Sequence, residues 1–262
     1  QGPVGPFFSR FALDLGLAGA VVFKVNFNGG DWLFSHSKSF AKIFNFTNHS
    51  NCFPDYLDDL LLRLNIDTVF LFGDCRPIHA LVKNTLLRKG IEIGVFEEGY
   101  FRPDYITLER NGVNNNSPVP RNPNFYLSGS TSEPPEAISL GSTYGQAAKW
   151  GIMYFVASTL GYLIFKDYHH HRRLGISDGP SWLCSYWRKL WYKFIERDIL
   201  PKIVNDLSGE FYLVFLQTKG DSQMSVHSNF YSVENFIEHV VESFSEFASE
   251  NRALVIKHHP LD

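Results

Sequence analysis

Apolar and polar positions along this chain fall into blocks whose period alternates between that of a helix and that of a strand. A short helix is predicted from about Phe8 to Leu17, followed by an apolar strand from Ala20 to Phe27. Asn28-Gly29-Gly30-Asp31 is expected to close that strand as a turn. Pro54 opens a second helix reaching about Leu64, with Leu57, Leu60, Leu61 and Leu64 at helical spacing and acids in its first turn. Val69 to Phe72 reads as a buried strand, Pro77 to Lys89 as a helix stopped by Gly90, and Ile91 to Phe96 as the next strand. This alternation with short connections predicts an open, parallel, doubly wound sheet. Asp104 to Glu109 adds a strand, and Asn111 to Pro135 is a polar, proline-rich connection.

A second α/β pattern begins at Phe211. Phe211 to Leu216 and Ala253 to Ile256 read as strands, separated by a helix from about Val233 to Ser249 with Phe236, Val240, Phe244 and Phe247 on one stripe. The organisation expected is a Rossmann-like domain over 1–135, a helical, membrane-associated connecting segment over 136–207, and the start of a second Rossmann-like, nucleotide-sugar domain over 208–262. The chain opens within a loop and stops just after a strand, so it is expected to be a piece of a longer protein.

The middle segment has its own character. Trp150 to Phe165 is uncharged and apolar, flanked by Lys149 and Lys166, but falls short of the ~20 residues that span a bilayer. His169 to His171, Arg172 and Arg173 follow, then an aromatic and basic helix from Trp182 to Phe194. Two readings stay open: helices lying at an anionic headgroup interface, or helices packed on the core or a partner. The histidine run is read as solvated surface, since no acidic or cysteine ligand has suitable local spacing for a metal.

Composition narrows the field. Apolar residues make up 44% of the chain, enough for a packed core, and the net charge of −3 gives no pull toward nucleic acid. Three cysteines form no CxxC pair, so neither a disulfide framework nor a zinc knuckle is indicated and a reducing cytosol is inferred. The sequons at Asn45 and Asn48 then carry no meaning.

Candidate chemistry gathers where strands end. In open α/β sheets ligands bind beyond the carboxyl ends of the strands. The first pattern places Gly73-Asp74-Cys75-Arg76 after one strand and Glu97-Glu98-Gly99, with Arg102 beyond, after the next. The second places Gln217, Asp221-Ser222-Gln223 and His227 after one strand, and Lys257-His258-His259 at the end of the other. The glycine-bearing loop at 2–5 lacks both the Walker lysine and GxGxxG spacing, so alone it is a weak phosphate signal.

These blocks together resemble the capsule polysaccharide Kdo-transferase family, of the KpsS/LipB type long labelled capsule polysaccharide export proteins. The resemblance rests on Gln-Gly-Pro-Val-Gly-Pro-Phe-Phe at 1–8, Phe-Asn-Gly-Gly-Asp at 27–31 and Phe-Gly-Asp-Cys-Arg-Pro at 72–77. It continues through Phe-Glu-Glu-Gly-Tyr-Phe-Arg-Pro at 96–103, Asp-Ser-Gln at 221–223 with His227-Ser228-Asn229, and Lys-His-His-Pro at 257–260. Against that family the chain is a fragment, lacking the first strand and the C-terminal part. The resemblance implies a GT-B-like pair of Rossmann-type domains, the second truncated, and a glycosyltransferase needing no cofactor beyond its donor substrate, CMP-Kdo. The reaction implied is transfer of the first β-Kdo to a phosphatidylglycerol-type lipid with retention, by double displacement, peripherally on the cytoplasmic face of a Gram-negative inner membrane. Asp221 would be the nucleophile, Glu98 the acid/base in preference to Glu97, and His259 a contact to the donor's carboxylate or phosphate. Arg76, Arg102, Lys257 and His258 would meet the donor's anionic groups, with Glu97, Gly99, Asp74, Gln217, Ser222, Gln223 and His227 lining the substrate site. Domain closure is expected to bring Glu98 and Asp221 together. The alternatives are a non-catalytic component of the capsule export complex, or a transferase using another sugar.

Overall fold

The computed structural model describes residues 2–35, 40–99, 104–127, 129, 136, 138, 143–167, 179–218 and 220–259. Arg102, the histidine run at 169–171 and Arg172 and Arg173 lie outside them. The chain divides into two compact units, Gln1–Leu174 and Gly175–Asp262.

The first unit runs α1 (Phe7–Leu17), β1 (Val22–Asn26), α2 (Gly29–Leu33), β2 (Ala41–Asn45), α3 (Phe53–Leu64), β3 (Thr68–Phe72), α4 (Pro77–Arg88), β4 (Glu92–Glu98), β5 (Ile106–Arg110), α5 (Pro123–Leu127) and α6 (Tyr144–Leu160). Local chemistry sets the limits of α3 and α4. Each carries a proline in its first turn, and α3 ends where Asn65 adopts the left-handed conformation (φ 52°) and donates its N–H to the Leu61 carbonyl. Phe53, Leu57 and Leu61 on α3 meet Ile78, Val82 and Leu86 on α4, with Ile93 and Val95 of β4 beneath them. On the opposite face Phe7 and Phe11 of α1 stand edge-on to Phe96, with ring centroids 5.0 Å apart in each pair. Fully burying a phenylalanine or leucine contributes about 1.5–3 kcal/mol, so these two layers account for much of the unit's stability.

The expected single parallel sheet is corrected in two respects. β1 pairs parallel with β2, and β3 pairs parallel with β4, as two separate sheets. β5 lies antiparallel on β4, with Glu98 opposite Ile106. Its connection from β4 is too short for a crossover, which takes a dozen residues or more.

Asn28-Gly29-Gly30-Asp31 is not a turn. The Asn28 side chain caps α2 by accepting from the Asp31 N–H (2.8 Å). The glycines serve long-range packing. A Cβ on Gly29 would run into the Ala157 carbonyl of α6, and one on Gly30 would stand 2.5 Å from the Tyr154 ring. Tyr154 is buried, accepting from Asn28 Nδ2 (2.8 Å) and donating to Asp31 Oδ1 (3.1 Å). Lys24 joins from β1, donating to the Asp31 carbonyl (3.0 Å) and Ser35 (2.7 Å). Burial pulls the Lys24 pKa down against the opposing effect of Asp31. One face of α6 therefore packs on the core. Another face, with Ile152, Val156 and Leu160 at four-residue spacing, is exposed.

The second unit runs α7 (Gly179–Ile195), α8 (Ile199–Asp206), β6 (Phe211–Phe215), α9 (Ser222–Ser225), α10 (Val233–Phe247) and β7 (Ala253–Lys257). β6 and β7 are a parallel pair in register from Phe211 opposite Ala253 to Phe215 opposite Lys257. Ser232 caps α10 by accepting from the Asn235 N–H (3.1 Å), and Phe244 packs edge-on to Tyr212. No helix among the described residues is long and apolar enough to cross a membrane.

Candidate active site at the strand ends

The site in the first unit is built around the exit from β3. Gly73 turns the chain with φ 68° and donates its N–H to the Phe96 carbonyl (2.8 Å). A Cβ there would stand 3.6 Å from Arg76 Nε and 3.8 Å from Glu97 Oε2, so the backbone conformation, not space, calls for glycine. His79, buried on α4, holds the turn from below, its Nδ1 2.6 Å from the Gly73 carbonyl oxygen.

Asp74 is buried beneath the surface of this turn. Its Oδ2 accepts from Lys83 Nζ (2.8 Å) and Asn116 Nδ2 (2.9 Å), and Oδ1 meets Cys75 Sγ (3.4 Å). Desolvation would raise its pKa, but the hydrogen bonds from Lys83 and Asn116 and the Lys83 charge outweigh it and hold the carboxyl below its ordinary value. The same burial, together with the neighbouring Asp74 charge, pushes the Cys75 thiol up to about 12. Such a thiol is not a nucleophile at neutral pH. Arg76 lies over the Phe72 ring and donates through Nη1 to the Gly2 carbonyl (3.0 Å), tying the 2–6 loop to the end of β3.

Strand alternation separates the two glutamates. Ile93, Val95 and Glu97 share one face of β4, the face α4 covers, and Phe96 and Glu98 share the other. Glu97 is half-buried and curls back to accept from the Glu98 N–H (2.9 Å), with Asn114 Nδ2 3.5 Å from its second oxygen. Glu98 is exposed. Gly99 is buried because the Tyr105 carbonyl passes where a side chain would be. The structure therefore brings Gly73, Asp74, Arg76, Glu97, Glu98 and Gly99 to one edge. There Asp74 is buried and Glu98 is exposed.

In the second unit Asp221 is the N-cap of α9. Its Oδ1 accepts from the Gln223 N–H (2.9 Å), and its carbonyl accepts from the Ser225 N–H (3.2 Å). Ser222 returns its carbonyl to the Val226 N–H (2.9 Å) and the His227 N–H (3.1 Å), so Asp221, Ser222, Gln223 and His227 form one self-bonded loop. Gln217 follows β6, where the Leu216 N–H donates to the Lys257 carbonyl (2.9 Å). Lys257 carries its ammonium over the Phe215 ring, and His258 meets Tyr192 edge-on at 5.1 Å. His259 follows it, half-buried, with its carbonyl oxygen 3.2 Å from His258 Nδ1. Because β6 and β7 run parallel, these two clusters share one edge of their sheet.

Sequence reasoning missed His79, Lys83 and Asn116, which set the Gly73–Arg76 turn, and Asn28, Asp31 and Tyr154. The last set had a signal in the 27–31 block, but only its distant partner on α6 explains it.

Fold and sites together define an α/β protein of parallel-strand sheets whose polar groups gather at the strands' carboxyl ends. A family model described as "Capsule polysaccharide biosynthesis protein" matches residues 67–262, and the chain belongs to this family. It is 37% identical over 263 residues to the capsule polysaccharide export protein KpsS of Escherichia coli, covering 100% of this chain and 67% of that protein. It is 36% identical over 270 residues to the capsule polysaccharide modification protein LipB of Neisseria meningitidis serogroup A, covering 100% of this chain and 64% of that protein. The chain thus spans about two thirds of the length of these relatives. No solved structure matches it.

Proposed function

We propose that this chain is part of a capsule polysaccharide biosynthesis enzyme, a GT-B-like retaining transferase that moves the first β-Kdo from CMP-Kdo to a phosphatidylglycerol-type lipid. The observation that carries this reading is that both units place acidic side chains at the carboxyl ends of parallel strands. These are Glu97 and Glu98 on β4, and Asp221 in the loop after β6. Retention through a covalent intermediate needs two such carboxylates, roughly 5–5.5 Å apart in retaining glycosidases.

In this reading a carboxylate oxygen of Asp221 attacks the anomeric carbon of Kdo, and the bond to CMP breaks with its electron pair leaving on the phosphate. Glu98 then takes the proton of the lipid hydroxyl, which attacks the same carbon and releases Asp221. Glu98 suits this role better than Glu97 because its carboxylate is exposed, while Glu97 is folded back on the β4 backbone. Arg76, Lys257, His258 and His259 supply cationic or hydrogen-bonding groups for the donor's phosphate and carboxylate.

A lipid acceptor accords with the exposed face of α6. No acidic residue occurs from Tyr144 to Lys166, exposed Lys149 and Lys166 bracket the segment, and Ile152, Val156 and Leu160 are uncovered. On α7, Trp187, Trp191 and Phe194 are exposed beside Arg188 and Lys193. Apolar stripes with basic neighbours suit an anionic headgroup layer such as the inner leaflet of a Gram-negative inner membrane.

The test is to incubate the whole protein with CMP-Kdo and phosphatidylglycerol vesicles, following CMP release and the intact mass. A Kdo adduct on Asp221, accumulating in Glu98→Gln and absent in Asp221→Asn, is expected. Undiminished turnover by Asp221→Asn would refute the nucleophile. The name of the Escherichia coli relative, an export protein, favours a second reading, a non-catalytic part of the export machinery. It predicts normal capsule from both variants and capture of export subunits.

A further inference from the structure

Strand β5 ends the β3-β4-β5 sheet with its outer edge open. One bond tells which backbone groups line that edge. The Asn111 N–H donates to the Ile93 carbonyl (2.8 Å), so Asn111 turns its peptide groups toward β4. Along an antiparallel strand the groups of successive residues point alternately toward the partner and away from it. Thr107 and Glu109 therefore face β4, and the N–H and C=O of Ile106, Leu108 and Arg110 point outward. No backbone group among the described residues meets these three from the outer side.

The edge lacks the devices that keep an exposed strand from pairing. Residues 106–110 hold no proline or lysine, and their register on β4 runs without a bulge. Ile106 lies directly opposite Glu98 and Leu108 opposite Phe96, so their side chains stand on the face that α1 packs against. α1 covers Phe96 but leaves Ile106 46% and Leu108 49% exposed. An open edge with an apolar strip beside it takes another strand.

The sequence of β5 is complementary to itself. Laid antiparallel on a second β5 about Leu108, it sets Leu108 against Leu108, Ile106 against Arg110 and Thr107 against Glu109. Every outward group then pairs, in about six hydrogen bonds, and no like charges meet. A pairing centred on Arg110 would oppose two guanidinium groups and lose bonds.

The same register brings opposite charges together. Glu98 lies opposite Ile106, and Ile106 then lies opposite Arg110 of the second copy. The three side chains form one row across one face, with Glu98 and that arginine about 10 Å apart at Cα, a distance the two side chains span together. Arg110 at present stands 3.1 Å from Glu92, but both side chains are more than half exposed and such a pair holds an arginine weakly.

We propose that the outer edge of β5 docks a second copy of this chain. Two first units join about a two-fold axis at Leu108 into one sheet ordered β3-β4-β5-β5-β4-β3, and each copy brings its Arg110 beside the Glu98 of the other. The pairing is independent of the sugar chemistry proposed above.

Sedimentation of the whole protein tests it without an activity assay. The unsubstituted protein should dimerise. Leu108→Lys and Leu108→Glu each set like charges face to face on the axis and should weaken self-association by ~10-fold or more. Mixed in equal amounts, the two variants should associate again, because the axis then opposes lysine to glutamate. Should the variants fail to fold, hydrogen exchange on the unsubstituted protein decides. The amides of Ile106, Leu108 and Arg110 should slow as the concentration rises through the dimerisation range, while those of Thr107 and Glu109 stay protected throughout. A protein that remains monomeric would overturn the proposal, whether its edge amides exchange fast or are shielded by its own chain. So would a dimer indifferent to both substitutions, or variants that do not restore each other.

Discussion

Lys83 on α4 places its ammonium 2.8 Å from the carboxylate of Asp74 at the end of β3, and Asn116 closes the same oxygen from the opposite side at 2.9 Å. One buried acid thus joins a strand end, a helix and the 114–116 turn.

Removing one partner should leave a buried charge uncompensated. Asp74→Ala is expected to cost about 3 kcal/mol, measured by urea denaturation at pH 7. The pH dependence has a definite sign. The folded carboxyl is held below its ordinary value of 3.8, so its contribution is fully present above that value and lost as pH falls through the depressed one. Asp74→Asn should flatten that acid limb. An unchanged limb would mean that other carboxyls carry it.

The glycines of the 27–31 block make a prediction that local propensity alone would miss. Gly29→Ala drives a methyl into the Ala157 carbonyl and should destabilise the first unit by about 1–3 kcal/mol. Gly161 meets Gly29 from the other side, a Cβ on it standing 2.8 Å from the Gly29 Cα, and Gly161→Ala should behave alike. Gly151, on the same α6 but with open space around it, is the control. Gly151→Ala should stabilise by about 0.5–1 kcal/mol, the ordinary helix preference. Thermal melts of the three variants decide it.

That contrast shows what the sequence could reveal. Helices α3 and α4, strands β3 and β4 and helix α10 were legible because each carries its own period: Leu57 to Leu61, Ile78 to Leu86, Ile93 to Val95. The capping Asn28 and the packing glycines were read as a turn, since the Asn-Gly-Gly-Asp string is turn-like until Tyr154 and Ala157 arrive from α6. β2 went unread because Ala41 to Asn45 carries no clean alternation. The strand-end clusters were legible as clusters. That Asp74 is the buried carboxylate depends on Lys83 and Asn116, and no spacing rule joins those to β3.

Cys75 offers a chemical check on the same turn. With its thiol pushed up to about 12 against an ordinary 9.0, its thiolate fraction at pH 8 is lower by ~1,000-fold. Cys52 and Cys184 are exposed. Iodoacetamide should therefore label Cys52 and Cys184 in the folded protein and spare Cys75, with all three labelled in urea. Mass mapping reads the result directly. Labelling of Cys75 at the rate of Cys52 would show that the turn is open and that Asp74 is not buried beside it.

Asp221 carries two roles that substitution can separate. As the N-cap of α9 its Oδ1 accepts from the Gln223 N–H, and Asp221→Ala should cost about 1 kcal/mol. Asparagine caps nearly as well, so Asp221→Asn should melt close to the unsubstituted protein while abolishing any covalent adduct. A purely structural Asp221 gives the opposite order, with activity tracking stability, so that the alanine variant is impaired and the asparagine variant is not. Glu98→Gln completes the set. Exposed at the end of β4, it should leave stability within about 0.5 kcal/mol and slow only the step that consumes the adduct. Melting temperatures and adduct occupancy, measured on the same three preparations, distinguish a nucleophile from a cap.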